Sequence, residues 1–298
     1  MEIKTLNLIQ FRNYEKQTFH FHPLVNIIIG DNAQGKTNIL EAIYLLSTTR
    51  SFKSRMLDEL IMFDQSYTRV SGHVVNGTRP YDLKVVVSKE GKKAFINDKA
   101  VSKTSDYLGY FNVILFTPQD LQLIKGSPKM RRTLIDNEIS KISPIYMFNL
   151  NKYKLMKERN KYLKMLHDGH KEPDMYLEVL SEEMAELEED LIQRRMKFIE
   201  LLNEISGQMY AYISGKEKLV LRYHTQFKDI SKEGILDKYK KNYKRDIFQG
   251  NTVDGIHKDD LKIFLDENDA GMFASQGQQR SIILSIKIAL VEIVKMQI

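Results

Sequence analysis

The segment Gly30-Asp31-Asn32-Ala33-Gln34-Gly35-Lys36-Thr37 sets two glycines, a lysine and a threonine in the order G-x-x-x-x-G-K-T. That order is suited to holding a row of phosphates. Without a Cβ, Gly30 and Gly35 let the backbone turn sharply and aim its N–H groups at one anion. Lys36 is long enough to reach the β- and γ-phosphate oxygens of a nucleotide. The Thr37 hydroxyl can take one place around a Mg²⁺ ion that keeps several of its waters. A second stretch, Ala274-Ser275-Gln276-Gly277-Gln278-Gln279-Arg280-Ser281, sets serine, glycine and amides at the start of an apolar helix, a further place for an anion by the same physics.

The flanks supply what must hold these groups. The apolar run Asn26–Ile29 leads into the loop, and Ile39, Leu40, Ile43 and Leu46 follow at helical spacing. Strand, loop, helix is the context a phosphate loop requires, and the helix brings its positive end to the anion. The alternative is a glycine turn before a helix, with Lys36 merely solvated. Residues 1–30 read as strands, with Phe11-Arg12-Asn13-Tyr14 in a hairpin between two of them and His22-Pro23 in a turn. Residues 67–97 alternate in the manner of strands, with hairpin turns at Asn76-Gly77, Glu90-Gly91 and Asn97-Asp98. Val113–Phe116 reads as a buried strand that ends at Thr117-Pro118. Arg50–Met56 suits a mobile basic loop.

From Pro144 to about Tyr212 the periodicity is helical. One helix runs to about His167 and is broken by Asp168-Gly169 and Pro173. A second carries Leu177, Leu180, Met184, Leu187 and Leu191, then, after a slip, Phe198, Leu201 and Ile205. Two antiparallel helices making a projecting arm are expected, the alternative being two helices laid flat on the body. The acidic residues from Glu182 to Asp190 read as a solvated face. Lys125, Lys129, Arg131 and Arg132 form a compact basic group. Lys238, Lys240, Lys241, Lys244 and Arg245 interleave with Tyr239 and Tyr243, which could grip phosphates and stack bases or simply face solvent.

The totals set bounds. With 298 residues, 42% hydrophobic and 28% charged, the chain can build a large packed body. It has no cysteine, which excludes disulfides, thiolate zinc sites and cysteine nucleophiles and suits a reducing cytoplasm. No signal peptide or run of roughly 20 apolar residues is found, so no membrane partner is expected. The net charge of +6 favours a polyanionic partner without deciding one.

Taken together, these motifs resemble the RecF family of bacterial recombination and repair ATPases, whose heads are related to those of SMC and Rad50 proteins and of ABC transporters. The residues that carry the likeness are Phe11–Tyr14, Gly30–Thr37, Thr117-Pro118-Gln119-Asp120-Leu121, Lys125-Gly126 with Pro128 and Arg131-Arg132, Asp254-Gly255 with His257–Leu261, and Ser275–Arg280. The resemblance implies an α/β fold: a P-loop, ABC-type ATPase head, residues 1–143 and 213–298, with a β-rich lobe and an inserted helical-hairpin arm at 144–212. It implies ATP and Mg²⁺ held between two heads in an ATP-dependent homodimer, with Ser275, Gln276, Gly277 and Gln278 acting in trans and Arg12 and Asn13 near the nucleotide. Gln119 stands where such ATPases sense the γ-phosphate and the metal, a position commonly acidic in the family. It further implies DNA as partner, single-stranded or at gaps and junctions, with Lys125, Lys129, Arg131 and Arg132 as candidate contacts. RecR and RecO as partners, recombinase loading and support of the SOS response follow from the same likeness.

Two departures stand out. Ile256 replaces a usual proline. The second carboxylate motif, four apolar residues then an acidic pair, is expected after the signature helix, but the chain stops at Ile298. The expectation is therefore a weak or absent ATPase in a cut-off chain whose last parallel strands are missing. Leu261–Glu267 has the composition of that motif but leads into a hairpin turn and is rejected. An SMC- or Rad50-like structural ATPase would need a longer coiled coil or a cysteine hook. A transporter subunit leaves the arm unexplained, and a kinase leaves Ser275–Arg280 unexplained.

Overall fold

The computed structural model describes residues 1–31, 34–54, 56–170, 175–215 and 217–296. Asn32 and Ala33 of the loop, Arg55 and Pro173 lie outside the described residues. The chain divides into two compact units, Met1–Leu115 and the part from Phe116 onward.

The first unit is an antiparallel sheet with a helix on one face. Its elements are β1 (Glu2–Phe11), β2 (Tyr14–His20), α1 (Lys36–Thr48), β3 (Tyr67–Asn76), β4 (Arg79–Ser88), β5 (Gly91–Ile96), β6 (Lys99–Val101) and the single turn α2 (Thr104–Tyr107). The strand order is β2-β1-β3-β4-β5-β6. Alternation fixes the faces: Leu6 and Leu8 of β1, Val70 and Val74 of β3, and Leu83, Val85 and Val87 of β4 point into one core, which Ile39, Ala42, Leu45 and Leu46 of α1 cover. Gly72 lets the helix come close, since a Cβ there would stand 2.7 Å from a Leu46 methyl. The β5–β6 turn puts Asn97 and Asp98 both at positive φ, the geometry of a two-residue hairpin, as expected.

Two expected strands do not form. The run Leu24–Ile29 has no ladder partner among the described residues, and Leu24, Val25, Ile27 and Ile29 stand more than two-thirds exposed. Val113–Phe116 is likewise outside any strand, and Phe116 is exposed. Apolar composition alone does not make a strand; the backbone N–H and C=O groups need a neighbour.

The second unit is mainly helical. It contains α3 (Gln122–Lys125), α4 (Pro128–Ile142), α5 (Pro144–Lys152), α6 (Leu155–His167), α7 (Tyr176–Ser214), β7 (Leu219–His224), α8 (Lys232–Gln249), β8 (Asp260–Leu265), β9 (Asn268–Asp269), α9 (Ala270–Phe273) and α10 (Gln276–Met296). Prolines open α4 and α5 at the first turn, where a missing N–H costs nothing.

The single helix expected before His167 is two, α5 and α6, separated where Lys154 and Met156 donate to carbonyls three residues back. Together they run antiparallel to α7. The bonded pairs Arg159–Ser181, Tyr153–Glu188, Asn149–Asp190 and Tyr146–Arg195 descend one side as they climb the other. The helical hairpin is thus present. It is not a two-helix coil, because the basic helix α8 packs on both α6 and α7. The slip in the apolar pattern of α7 is Arg195, which is buried in line with Leu191, Ile192, Phe198 and Ile199. Gly215, at φ 75°, closes α7 in the left-handed region.

Candidate nucleotide-binding site and signature helix

The loop ends as the sequence requires. Gly35 precedes α1 at φ 93°, and a Cβ added there would lie 2.7 Å from the Asn13 side chain. Gly35 therefore meets two demands, the left-handed backbone and the close approach of the β1–β2 hairpin. Among the described residues no side chain caps α1, and no carboxylate stands in its first turn. The positive end of the helix is left open to an anion, which is the fit a polyphosphate requires. Lys36 folds over the loop, its Nζ donating to the carbonyls of Gly30 and, at 2.6 Å, Asp31. Thr37 is exposed at the same helix start.

Arg12 and Asn13 take different places. Asn13 touches the loop: its Nδ2 donates to the Gln34 carbonyl at 3.3 Å, and its Oδ1 accepts from Asn38 at 2.9 Å. Arg12 is turned toward α1. It makes a forked pair with the fully buried Glu41, at 3.1 and 2.9 Å, and also donates to Ser54 and to the Glu59 carbonyl. Ser51 donates to Glu41 as well, and Lys53 reaches Asn38 at 2.8 Å. The segment read as a mobile basic loop is thus tied at Ser51 and Lys53 to the helix that follows the phosphate loop, and at Ser54 to Arg12. Sequence reasoning missed Glu41, although a lone carboxylate one turn into an apolar-faced helix was a legible sign.

In the second unit, Ser275 and Gln278 cap α10 reciprocally. Ser275 N–H donates to Gln278 Oε1 at 2.6 Å, and Gln278 N–H donates to Ser275 Oγ at 3.3 Å. Gln278 also donates to Glu217, which accepts from Tyr210 near the end of α7. Ser275, Gln276 and Gly277 are exposed, and a Cβ at Gly277 would meet only Ser275 Oγ, 4.0 Å away. The backbone of this first turn is therefore open on one side. Gln119 is exposed on a short turn held by Thr117 and Asp120, and Lys287 of α10 pairs with Asp120 at 3.0 Å.

Comparison with known proteins decides the family. The family model "RecF/RecN/SMC N terminal domain" matches residues 2–297. "DNA replication and repair protein RecF" of Lactobacillus acidophilus is 42% identical over 99% of this chain and 81% of its own length. The protein of the same name from Halalkalibacterium halodurans is 40% identical over 99% of this chain and 82% of its own. The chain belongs to the RecF family. A solved structure titled "Structure of the recombination mediator protein RecF-ATPrS in RecFOR pathway" superposes with TM-score 0.92 at 33% identity, covering 99% of this chain and 82% of that one. An SMC head bound to a winged-helix domain of ScpA, 17% identical with TM-score 0.55, shares the fold alone. The RecF fold here is accordingly an α/β, ABC-type ATPase head.

Other residues singled out by sequence fall into a buried polar hub. Arg131 is not a surface cation: it is 8% exposed, forks onto Asp260 at 2.7 and 2.9 Å and donates to the Leu123 and Gly126 carbonyls. Arg132 donates to the Asp259 carbonyl. For Arg131 this corrects the reading as a surface cation for DNA, since its guanidinium donors tie loops together instead; Arg132 is half-buried. Lys125 and Lys129 are exposed. Arg195 forks onto Asp136 at 2.9 and 3.0 Å and donates to the Ile256 carbonyl. Arg159 pairs with Asp246 at 2.9 Å and Thr252 at 2.7 Å, and lies over the Tyr239 ring.

Glu188, read as part of a solvated acidic face, is fully buried. It accepts from Tyr153 at 2.7 Å, Tyr239 at 2.6 Å and the Ile256 N–H at 3.1 Å. Burial pushes its carboxyl up to about 7, against those hydrogen bonds. Burial, helped by Lys258, pushes neighbouring His257 down to about 4. The Asp254–Leu261 motif is thus a structural clasp. Gly255 is part of it, because a Cβ there would stand 2.8 Å from Glu188 Oε1. The rejected Leu261–Glu267 stretch is β8 and a turn, with Asp266 and Glu267 both at positive φ.

Proposed function

We propose that this chain binds ATP with Mg²⁺ in the loop Gly30–Thr37 and works in DNA replication and repair. The observation that carries the reading is the uncapped start of α1 behind Gly35, with Lys36 folded across the loop carbonyls. It is supported by a relative whose structure is titled "RecF-ATP", 32% identical with TM-score 0.93. Bound phosphates take the place of those carbonyls as partners of Lys36. Mg²⁺ supplies charge neutralisation, and Thr37 is the side chain that would hold it. Asn13 sets the position of Gln34 and Gly35 from the hairpin side, whereas Arg12 belongs to the Glu41 cluster.

In this reading two copies close on the nucleotide, each offering Ser275, Gln276, Gly277 and the α10 start to the other's phosphates, with Gln119 beside them. The dimer acts on single-stranded DNA and at gaps or junctions in the cytoplasm. There, with RecR and RecO, it assists recombinase loading and SOS induction.

Titration with a non-hydrolysable ATP analogue tests the cradle. Lys36→Ala is expected to weaken binding roughly thirtyfold or more, the scale of removing one partner from a charge-assisted contact; unchanged affinity overturns it. Ser275→Arg is expected to abolish ATP-dependent dimerisation in light scattering while leaving the affinity of the monomer for the analogue intact.

A further inference from the structure

The head of α10 is already engaged from within the chain. A helix start leaves its first amides for an anion, but here the N–H groups of Ser275 and Gln278 are both taken by the reciprocal cap. Among the described residues the N–H groups of Gln276 and Gly277 have no partner, so these two are what the turn offers a phosphate.

The cap is itself held. Gln278 Nε2 donates to Glu217 Oε1 at 2.5 Å, and Tyr210, fully buried on α7, donates to Glu217 Oε2 at 2.9 Å. The carboxylate therefore keeps the Gln278 amide turned with its oxygen on Ser275. Glu217 also lines, with Asp266, Asp269 and Gln278, a cavity of about 140 Å³ whose described lining includes no basic side chain. Backbone amides, not cations, hold the other two acids: Asp266 accepts from Lys218 N–H at 2.8 Å, and Asp269 from Gly271 N–H at 2.8 Å.

Acids beside a helix start suit that helix on its own. They do not suit a polyphosphate, which must come to the same end against like charge. The start of α1 is the contrast. It has no carboxylate in its first turn and Lys36 folded over the loop before it. One helix start is open to an anion, and the other is guarded.

We propose that Glu217 is the gate of the Ser275–Gln278 turn. Its charge opposes a phosphate arriving there, and its hold on Gln278 keeps Ser275 N–H engaged. A phosphate that settles on Gln276 and Gly277 draws the Ser275 amide away from Gln278, and the row of amides is then complete. This rests on the reading of the turn as the contact to a second copy's nucleotide, and it names the residue that limits that contact. Glu217 acts through Gln278, so it is a positioning residue.

The experiment is sedimentation velocity on the whole chain with a non-hydrolysable ATP analogue and Mg²⁺. It is run at about 0.1 M and about 1 M salt, where the screening length falls from about 10 Å to about 3 Å. Glu217→Gln keeps the size of the side chain and an acceptor for Gln278, and removes the charge. It is expected to tighten the dimer roughly fivefold or more at the lower salt, with the gain shrinking below about twofold at the higher. Asp266→Asn, in the same cavity, is expected to give a smaller gain in the same sense. Glu183→Gln removes an equal charge from an exposed position elsewhere on α7 and is expected to leave the dimer unchanged. A dimer no tighter in Glu217→Gln than in the parent overturns the gate alone. So does a gain of equal size at both salts, or one that Glu183→Gln reproduces. A parent and a Glu217→Gln variant that both bind the analogue and both stay monomeric overturn the reading of the turn, and the gate with it.

Discussion

The run Leu24–Gly35 and the segment Asp254–Leu261 are both glycine-bearing motif loops, yet they invert the usual distribution of residues. In the first, aliphatic side chains stand in solvent, with Ile29 at 88% exposure; in the second, charged side chains are buried, with Asp259 at 0%. The second is the better determined. There Arg131 forks onto Asp260, Asn242 and Lys238 reach Asp254, and Asp259 accepts from Tyr223 with Arg195 3.6 Å away. In the first, the turn into α1 is set at Gly35, whose backbone takes φ 93°. Chemistry that needs a local turn survives without neighbours, whereas a strand does not.

The largest effect separating the two regions is expected from Arg195→Ala. It leaves Asp136 and Asp259 facing an empty buried slot, and urea unfolding of the helical signal should show a loss of about 3–5 kcal/mol. A loss below about 1 kcal/mol would mean that the hub is not holding the second unit together.

Next comes Gly35→Ala. The positive φ and the Asn13 contact should cost about 1–3 kcal/mol locally and lower ATP-analogue affinity, with global stability nearly intact. Adding Asn13→Ala removes the contact but not the strained φ, so only part of the affinity should return.

The hub also has a pH signature. Glu188 is lifted to about 7 from an ordinary 4.5, so its contribution is complete below about pH 4.5 and is lost as pH rises through 7. His257 is lowered to about 4 from 6.5, so its contribution is complete above pH 6.5 and is lost as pH falls through 4. The two slopes oppose each other. In Glu188→Gln only the second remains, and the melting temperature of the variant minus that of the parent should climb between pH 4.5 and 7. A difference that stays level across that range would show Glu188 to be charged throughout. The smallest effect is expected at the loop: Ile29→Lys, in solvent here, should change stability by no more than about 0.5 kcal/mol in the same urea assay.

Much of this was readable from residue order. The start of α1 behind Gly35, the Asn97-Asp98 turn and the serine that caps α10 follow from short-range rules, whereas the helix read as one before His167 is two. The Leu261–Glu267 decoy was dismissed by the same rules, since its acidic pair makes a tight turn. What escaped was long-range pairing. Glu188 and Arg195 sit on the apolar stripe of α7, and a charged residue in a helix is ordinarily assigned to solvent. Their partners, Tyr239 and Asp136, lie about 50 to 60 positions away, beyond what any periodicity can register. Arg131 was misplaced for the same reason: its partner Asp260 is 129 residues on. Leu24–Ile29 failed in the opposite direction, because composition promised a ladder that the described residues do not supply.

The length of α7 has a mechanical corollary. Its 39 residues form an unbroken rod of about 58 Å. One end is clamped by α6 and α8 around Leu177, and the other is linked through Tyr210 and Glu217 to Gln278 at the head of α10. Such a rod acts as a lever. A tilt of about 5 degrees at the Gln278 end would sweep the Leu177 end through about 5 Å, roughly one helical pitch, so closure at the serine turn would be felt as a displacement of the far tip.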